Sequence, residues 1–241
     1  MRSIGYMAVL LSAVVSAACG SANPFRQYEY EEDLYLSLDG SATLYVNASV
    51  PALNALRGTA FDTGRRVDRA AIRQYYSSPD SHVNWVRTSR RSGRSFVHLR
   101  IEVDDVNRLS QAKPFAWSSY QFSQEGDRFV YRQTVGSSAS GAARSDWSGR
   151  EPVAFRLHLP SKITFHDNGG ELRRGNILAW EQPLGDRLRG VPLVMEARME
   201  TQSILYRTLY LFGATFVAAA AAFVIAIWWI VRRGGRNAAA L

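Results

Sequence analysis

Apolar and polar residues alternate along most of this chain, and the alternation gives way near the end to one long stretch without charge. A period of two marks a strand with one buried face. Tyr28 to Leu38 and Ala42 to Val50 alternate on either side of Asp39-Gly40, a strong hairpin signal. In the second of these runs Ala42, Leu44, Val46, Ala48 and Val50 share one face, and Thr43, Tyr45, Asn47 and Ser49 share the other. Val83–Thr88 and Ser95–Val103 predict a second hairpin around Ser92-Gly93. Trp117–Ser123 and Arg128–Val135 predict a third through Glu125-Gly126-Asp127. Further strands are expected over Val153–Leu159, Ile163–His166, a segment ending at Trp180, and Val191–Met199.

Helical spacing is confined to short segments. Pro51 opens one through Leu53 and Leu56. Asp68 can cap a second that runs to Tyr76, with Ile72 spaced to meet Tyr75 and Tyr76, and Pro79 prevents its continuation. Asp104 to Leu109 predicts a third, brief helix ended before Pro114. Gly58–Gly64 and Gly136–Gly149 have loop composition, and a turn is expected at Pro183 and Gly185. The order of elements predicts an α+β fold: a mainly antiparallel sheet with one or two short helices.

Thr208 to Val231 carries no charge. As a helix it would reach about 36 Å, enough to cross a hydrocarbon core of roughly 30 Å. Tyr206 and Tyr210 flank one end and Trp228 and Trp229 the other, the depths at which amphipathic rings settle. Arg232, Arg233 and Arg236 follow, so the positive-inside rule places the C-terminus in the cytoplasm and the preceding domain outside it. At the other end, residues 1–18 combine Arg2, an apolar run and small residues, the pattern of a secretory signal peptide. Cys19, the sole cysteine, follows Ser16-Ala17-Ala18 as in a bacterial lipobox, with Ser16 where a larger aliphatic residue is usual. The expected layout is a signal peptide over 1–18, a lipidated linker over 19–26, an exported β-rich domain over 27–200, a transmembrane helix over 208–231 and a cytoplasmic tail over 232–241. The implied location is the bacterial cytoplasmic membrane, crossed once.

Composition adds little beyond this. The chain is 46% hydrophobic with a formal charge of +8. Four of its basic residues, Arg2, Arg232, Arg233 and Arg236, lie in the signal or the tail, so about half of that charge belongs to membrane flanks. Outside the cytoplasm, a mildly basic domain is not expected to meet nucleic acid.

The sequence supplies no catalytic set. His82, His98, His158 and His166 sit on or beside predicted strands, and none shows metal-binding spacing. Gly136 to Gly141 fails the nucleophile-elbow pattern. Asp104 and Asp105 are adjacent, which suits a helix cap better than a catalytic pair. No P-loop or dinucleotide fingerprint is present. No enzyme activity, metal or cofactor is therefore expected.

Two features stand out. Ten arginines lie between Arg57 and Arg100, against only Asp62, Asp68 and Asp80. Arg65, Arg69 and Arg73 share a helix face if that helix begins early; Arg66 lies beside them, and Arg90, Arg91 and Arg94 crowd a hairpin tip. Guanidinium forks suit phosphate and carboxylate oxygens, so these seven arginines are the candidate site for anionic headgroups. A solvated, Arg-biased surface is the competing explanation. In the span, Ala214, Ala218, Ala222 and Ala226 recur every fourth residue and form a seam of small side chains, a candidate face for self-association or for a membrane partner.

Asp39-Gly40-Ser41 ahead of an alternating strand, then Asn168-Gly169-Gly170, Gly175-Asn176, Trp180 and Pro183-Leu184, resemble the motifs of the LppM-type bacterial lipoprotein domain. The resemblance extends from about Tyr28 to Arg232 and includes the layout of signal, modified cysteine, β-rich domain and C-terminal span. It implies an envelope protein with a lipid-binding role and no catalytic residues. The expected function is that of a membrane-anchored envelope lipoprotein binding a lipid or another envelope component. The alternative is a structural or assembly factor that docks a partner through its ectodomain and span.

Overall fold

Among the described residues, eleven strands pair into two sheets. The structure is a computed structural model that describes residues 28–64, 66–138, 148–167 and 170–238. The signal segment, Cys19, Arg65, Asn168 and Gly169 lie outside these residues, as does most of the 136–149 loop.

The three predicted hairpins are present. β1 (Tyr30–Leu36) pairs antiparallel with β2 (Ala42–Ser49), β3 (Ser81–Arg91) with β4 (Arg94–Val103), and β5 (Ser118–Glu125) with β6 (Arg128–Val135). At the tip of the second, Ser92 and Gly93 both take positive φ, 49° and 78°, the backbone that a tight two-residue turn demands. Ala42, Leu44, Val46 and Ala48 are buried as their alternation predicts. Between β2 and β3 come α1 (Val50–Arg57) and α2 (Arg69–Tyr76). Ser49 caps α1 through its hydroxyl, which accepts from Ala52 N, and Gly58 closes it in the left-handed region. Asp68 caps α2 by accepting from Ala70 and Ala71. That cap starts α2 at Arg69, so only Arg69 and Arg73 of the expected basic face lie on the helix. Asp105 caps a 3-10 turn over Val106–Gln111, as its position suggested.

The second half adds β7 (Pro152–His158), β8 (Ser161–His166), β9 (Glu171–Arg174) and β10 (Ile177–Pro183). Leu184–Leu188 forms a short helix, α3, where only a turn was expected. β11 (Leu193–Ser203) runs four residues further than its alternation indicated. Seven strands form one sheet in the order β3-β4-β2-β1-β7-β10-β9, and four form the other in the order β5-β6-β11-β8. All pairings are antiparallel except β1 with β7, which is parallel. The two sheets share one buried core, which also takes in Ile72 and Tyr76 of α2 and Leu53 and Leu56 of α1. Gly170 lies against the ring of Trp180. A Cβ there would come within 2.8 Å of the indole, which explains a glycine at this position.

β11 passes without a linker into α4 (Ile204–Ala238). Ile204 N donates to Pro160 O at 3.0 Å, which ties the start of the helix to the turn between β7 and β8. Ile204–Trp229 is long and apolar enough to cross a membrane, with a mean hydropathy of 2.2, and none of that stretch is buried among the described residues. Ala214, Ala218, Ala222 and Ala226 are all exposed on it.

Candidate functional site

A charged cluster lies inside the shared core. β1 directs Tyr30, Glu32, Leu34 and Leu36 inward, so a carboxylate occupies an otherwise apolar face. Arg57, the last residue of α1, reaches back over it. Its Nη2 donates to Glu32 Oε1 at 2.8 Å and also to the Tyr30 hydroxyl, which in turn donates to Glu32. The side chains of Arg57 and Glu32 are 2% and 4% exposed. Arg57 Cζ stands 3.4 Å from the ring centroid of Trp117, just ahead of β5. Arg187, fully buried on α3, comes within 6.0 Å of the same indole and donates from Nη1 to Val135 O and Gly136 O. Taking such charges out of water costs several kcal/mol per ion unless geometry and hydrogen bonds compensate.

Burial pushes the Glu32 carboxyl up, and the Arg57 charge holds it back. Burial also raises the phenols of Tyr30, Tyr76, Tyr120 and Tyr131 above their ordinary value, so all four remain neutral and able to donate. Burial pulls Arg187 down; Asp186 opposes this and the charge of Arg57 adds to it. By sequence, Arg57 belongs to a run of surface arginines, and neither Glu32 nor Arg187 stands out. One signal was available: Glu32 stands in register with Tyr30, Leu34 and Leu36 on the apolar face of its strand.

The structure separates the six described arginines of the candidate headgroup site, Arg65 lying outside the described residues. Arg73 donates to Val83 O and Asn84 O and so serves to fix β3. Arg94 pairs with Glu29 at 3.3 Å. Arg66, Arg69, Arg90 and Arg91 are exposed and form no ion pair with a described residue. Ser95 Oγ donates to Gly64 O at 2.8 Å, which brings the loop carrying Arg66 to the β3–β4 hairpin tip. This basic end is remote from the span. Ser81 pairs with Val103 and Val103 with Ala42, while Tyr35 pairs with His158 two residues before Pro160. The tip at Arg91 and Arg94 therefore closes the opposite end of the sheet, about 30 Å along the strands.

The outer face of the seven-stranded sheet is polar and aromatic. Tyr35 stacks on His158 with centroids 3.8 Å apart and meets Tyr45 edge-on at 5.5 Å. Arg156 bridges Glu31 and Asp33. His82 faces Asp104 at 3.2 Å, and His98 lies between Ser89 and Asn47. Among the described residues, no group of three or more His, Cys, Asp or Glu is placed to hold a metal ion.

No family model matches the chain, and no curated protein matches it. Among solved structures, it is similar to the NMR structure of the folded domain of the LppM protein of Mycobacterium tuberculosis, at 14% sequence identity and a TM-score of 0.41, over 75% of this chain and 95% of that one. That likeness assigns no residue a role.

The outer-face cluster gives a pH dependence of known sign. Burial, then repulsion from Glu31, pushes Asp33 up from 3.8 to about 6, against the pull of Arg156. The folded chain therefore holds this proton more tightly than the unfolded one. From this group, stability rises as pH falls from about 6 towards 4, and the gain is lost as pH rises through about 6. Asp33→Asn should flatten the slope of unfolding free energy against pH in that window, measured by denaturant titration of the detergent-solubilised chain. An unchanged slope would show that Asp33 does not carry it.

Proposed function

We propose that this chain is a single-span, membrane-anchored protein of a bacterial envelope. Its folded domain lies outside the cytoplasm and binds a lipid or another anionic envelope component through the basic end of its larger sheet. The observation that carries the binding reading is the exposed set Arg66, Arg69, Arg90 and Arg91, which no described acid neutralises. The anchor is supported by α4, whose apolar surface no other described residue covers. The basic end stands about 30 Å along the strands from the start of the span, several Debye lengths at ordinary ionic strength. On this reading the domain stands up from the bilayer, and its partner is met away from the membrane that holds α4, as a second surface or as a component raised out of it. Ile72 and Tyr76 are fully buried in the core, so recognition falls on a headgroup rather than on an acyl chain under α2. No enzyme activity is part of this reading.

A second reading, a structural or assembly factor, is favoured by the exposed alanine seam on α4. Between lipid-facing helices, close backbone approach carries association.

Topology is tested by a reporter fused after Leu241, which should be active only when cytoplasmic; activity outside the cytoplasm would reverse the orientation. For binding, the full chain is reconstituted into neutral liposomes and offered labelled vesicles in solution. Anionic vesicles should be captured well above neutral ones, with each arginine contact worth about 1 kcal/mol and weakened by salt. Changing Arg66, Arg69, Arg90 and Arg91 to Gln should abolish the difference. Equal capture of both vesicle types would rule the reading out. For the second reading, Ala218→Leu and Ala222→Leu should disrupt self-association in a membrane two-hybrid assay, whereas Ala220→Leu should not. Parent-like behaviour of all three would reduce the span to an anchor.

A further inference from the structure

We propose that the interior between the two sheets holds an oxyanion, a phosphate or a carboxylate group, on the hydrogen-bond donors of Arg57, Tyr76, Trp117, Tyr120, Gln133 and Arg187. This deepens the binding role above and rests on it for the source of the ligand. Nε and Nη1 of Arg57, Nε and Nη2 of Arg187, Nε1 of Trp117, Nε2 of Gln133 and the hydroxyls of Tyr76 and Tyr120 are all buried and lie outside hydrogen-bond geometry, with Tyr76 standing beside Arg57 and Tyr120 beside Ser118. Buried polar atoms are ordinarily paired, and leaving one unpaired is costly. Every one of these atoms carries a hydrogen.

The donors belong to one neighbourhood. Both guanidinium groups lie against the Trp117 indole, at 3.4 and 6.0 Å from its centroid. Tyr120 and Gln133 face each other across the β5–β6 ladder. Tyr131 donates to Gln133 Oε1 at 2.6 Å, which fixes that amide with its NH2 as the free end. The charge of Arg57 acts on the phenols of Tyr76 and Tyr120 alike. The one carboxylate within this group, Glu32, pairs with Arg57, while Arg187 makes no ion pair with a described residue and of the acids feels only the neighbouring charge of Asp186; arginine does not shed its proton. Water could satisfy single donors but would leave the surplus positive charge in place. A bound oxyanion accepts from several donors and balances that charge.

The test uses the full chain in a nonionic detergent and follows thermal unfolding with two probes: inorganic phosphate, and dihexanoyl-phosphatidylglycerol kept below its micelle concentration. A probe that enters this site should raise Tm by roughly 5 °C when present at about one hundred times its Kd. A double variant, Tyr76→Phe with Tyr120→Phe, keeps both rings and should be at least as stable as the parent without probe. It should bind about tenfold more weakly for each hydroxyl removed. Stabilisation by the lipid, with or without phosphate, makes a headgroup the source; stabilisation by phosphate alone makes a free anion the source. Either outcome supports the site. No shift with either probe means that internal water alone pairs these donors, and overturns the proposal. A shift of equal size in the double variant places the anion elsewhere, and also overturns it. Vesicle capture depends on Arg66, Arg69, Arg90 and Arg91 and should be unchanged in the double variant, so the two readings fail separately.

Discussion

The fold is built around a guanidinium in a place where apolar packing alone would exclude it. Arg57 lies on the Trp117 indole with Tyr30 and Glu32 beneath it, and these four residues come from α1, the approach to β5, and β1. An ion in such a medium is tolerated only with a partner and well-aligned donors. The approach of α1 to the larger sheet and of the Trp117 segment to β1 are therefore fixed together. Apolar side chains accept many near-equivalent packings; a charge with one carboxylate to meet accepts few. The edge-on contact of Tyr30 with Trp117, and that of Tyr76 with Phe115, extend the same constraint into the aromatic core.

The local features of this architecture were legible because their causes are local. Asp39-Gly40 and Ser92-Gly93 supply the backbone that tight turns require, and the period of two says which face of each strand is buried. Asp68 and Asp105 were recognisable as caps for the same reason. The parallel pairing of β1 with β7 was not legible, since strands more than a hundred residues apart in sequence leave no mark in either one. Nor was the division into two sheets. The candidate site divided along the same line. The concentration of arginine was plain, but which arginine is buried depends on where Glu32 and Trp117 come to lie. Arg73 is spent on the backbone of β3 and Arg94 on Glu29, contacts set by tertiary structure alone.

The two basic features of the domain differ in kind. Arg66, Arg69, Arg90 and Arg91 remain hydrated, so their influence is long-ranged, weak per residue and sensitive to salt. Arg57 and Arg187 have lost their water, so their influence is short-ranged and depends on geometry. A surface of the first kind concentrates an anion; a site of the second kind can select one.

The place of β11 has a consequence for biosynthesis. It is a central strand of the four-stranded sheet, between β6 and β8, yet it is the last strand to be made and is covalently continuous with α4. The ribosome works from the N-terminus, so β5, β6 and β8 have all been synthesised before the strand that joins them. Until Ser203 is free to pair, β6 and β8 each present an open edge, the kind of surface that invites wrong partners. On the proposed topology, release of β11 coincides with passage of the apolar helix out of the insertion machinery and into lipid. Completion of the sheet and entry of α4 into the bilayer are, on that topology, one event.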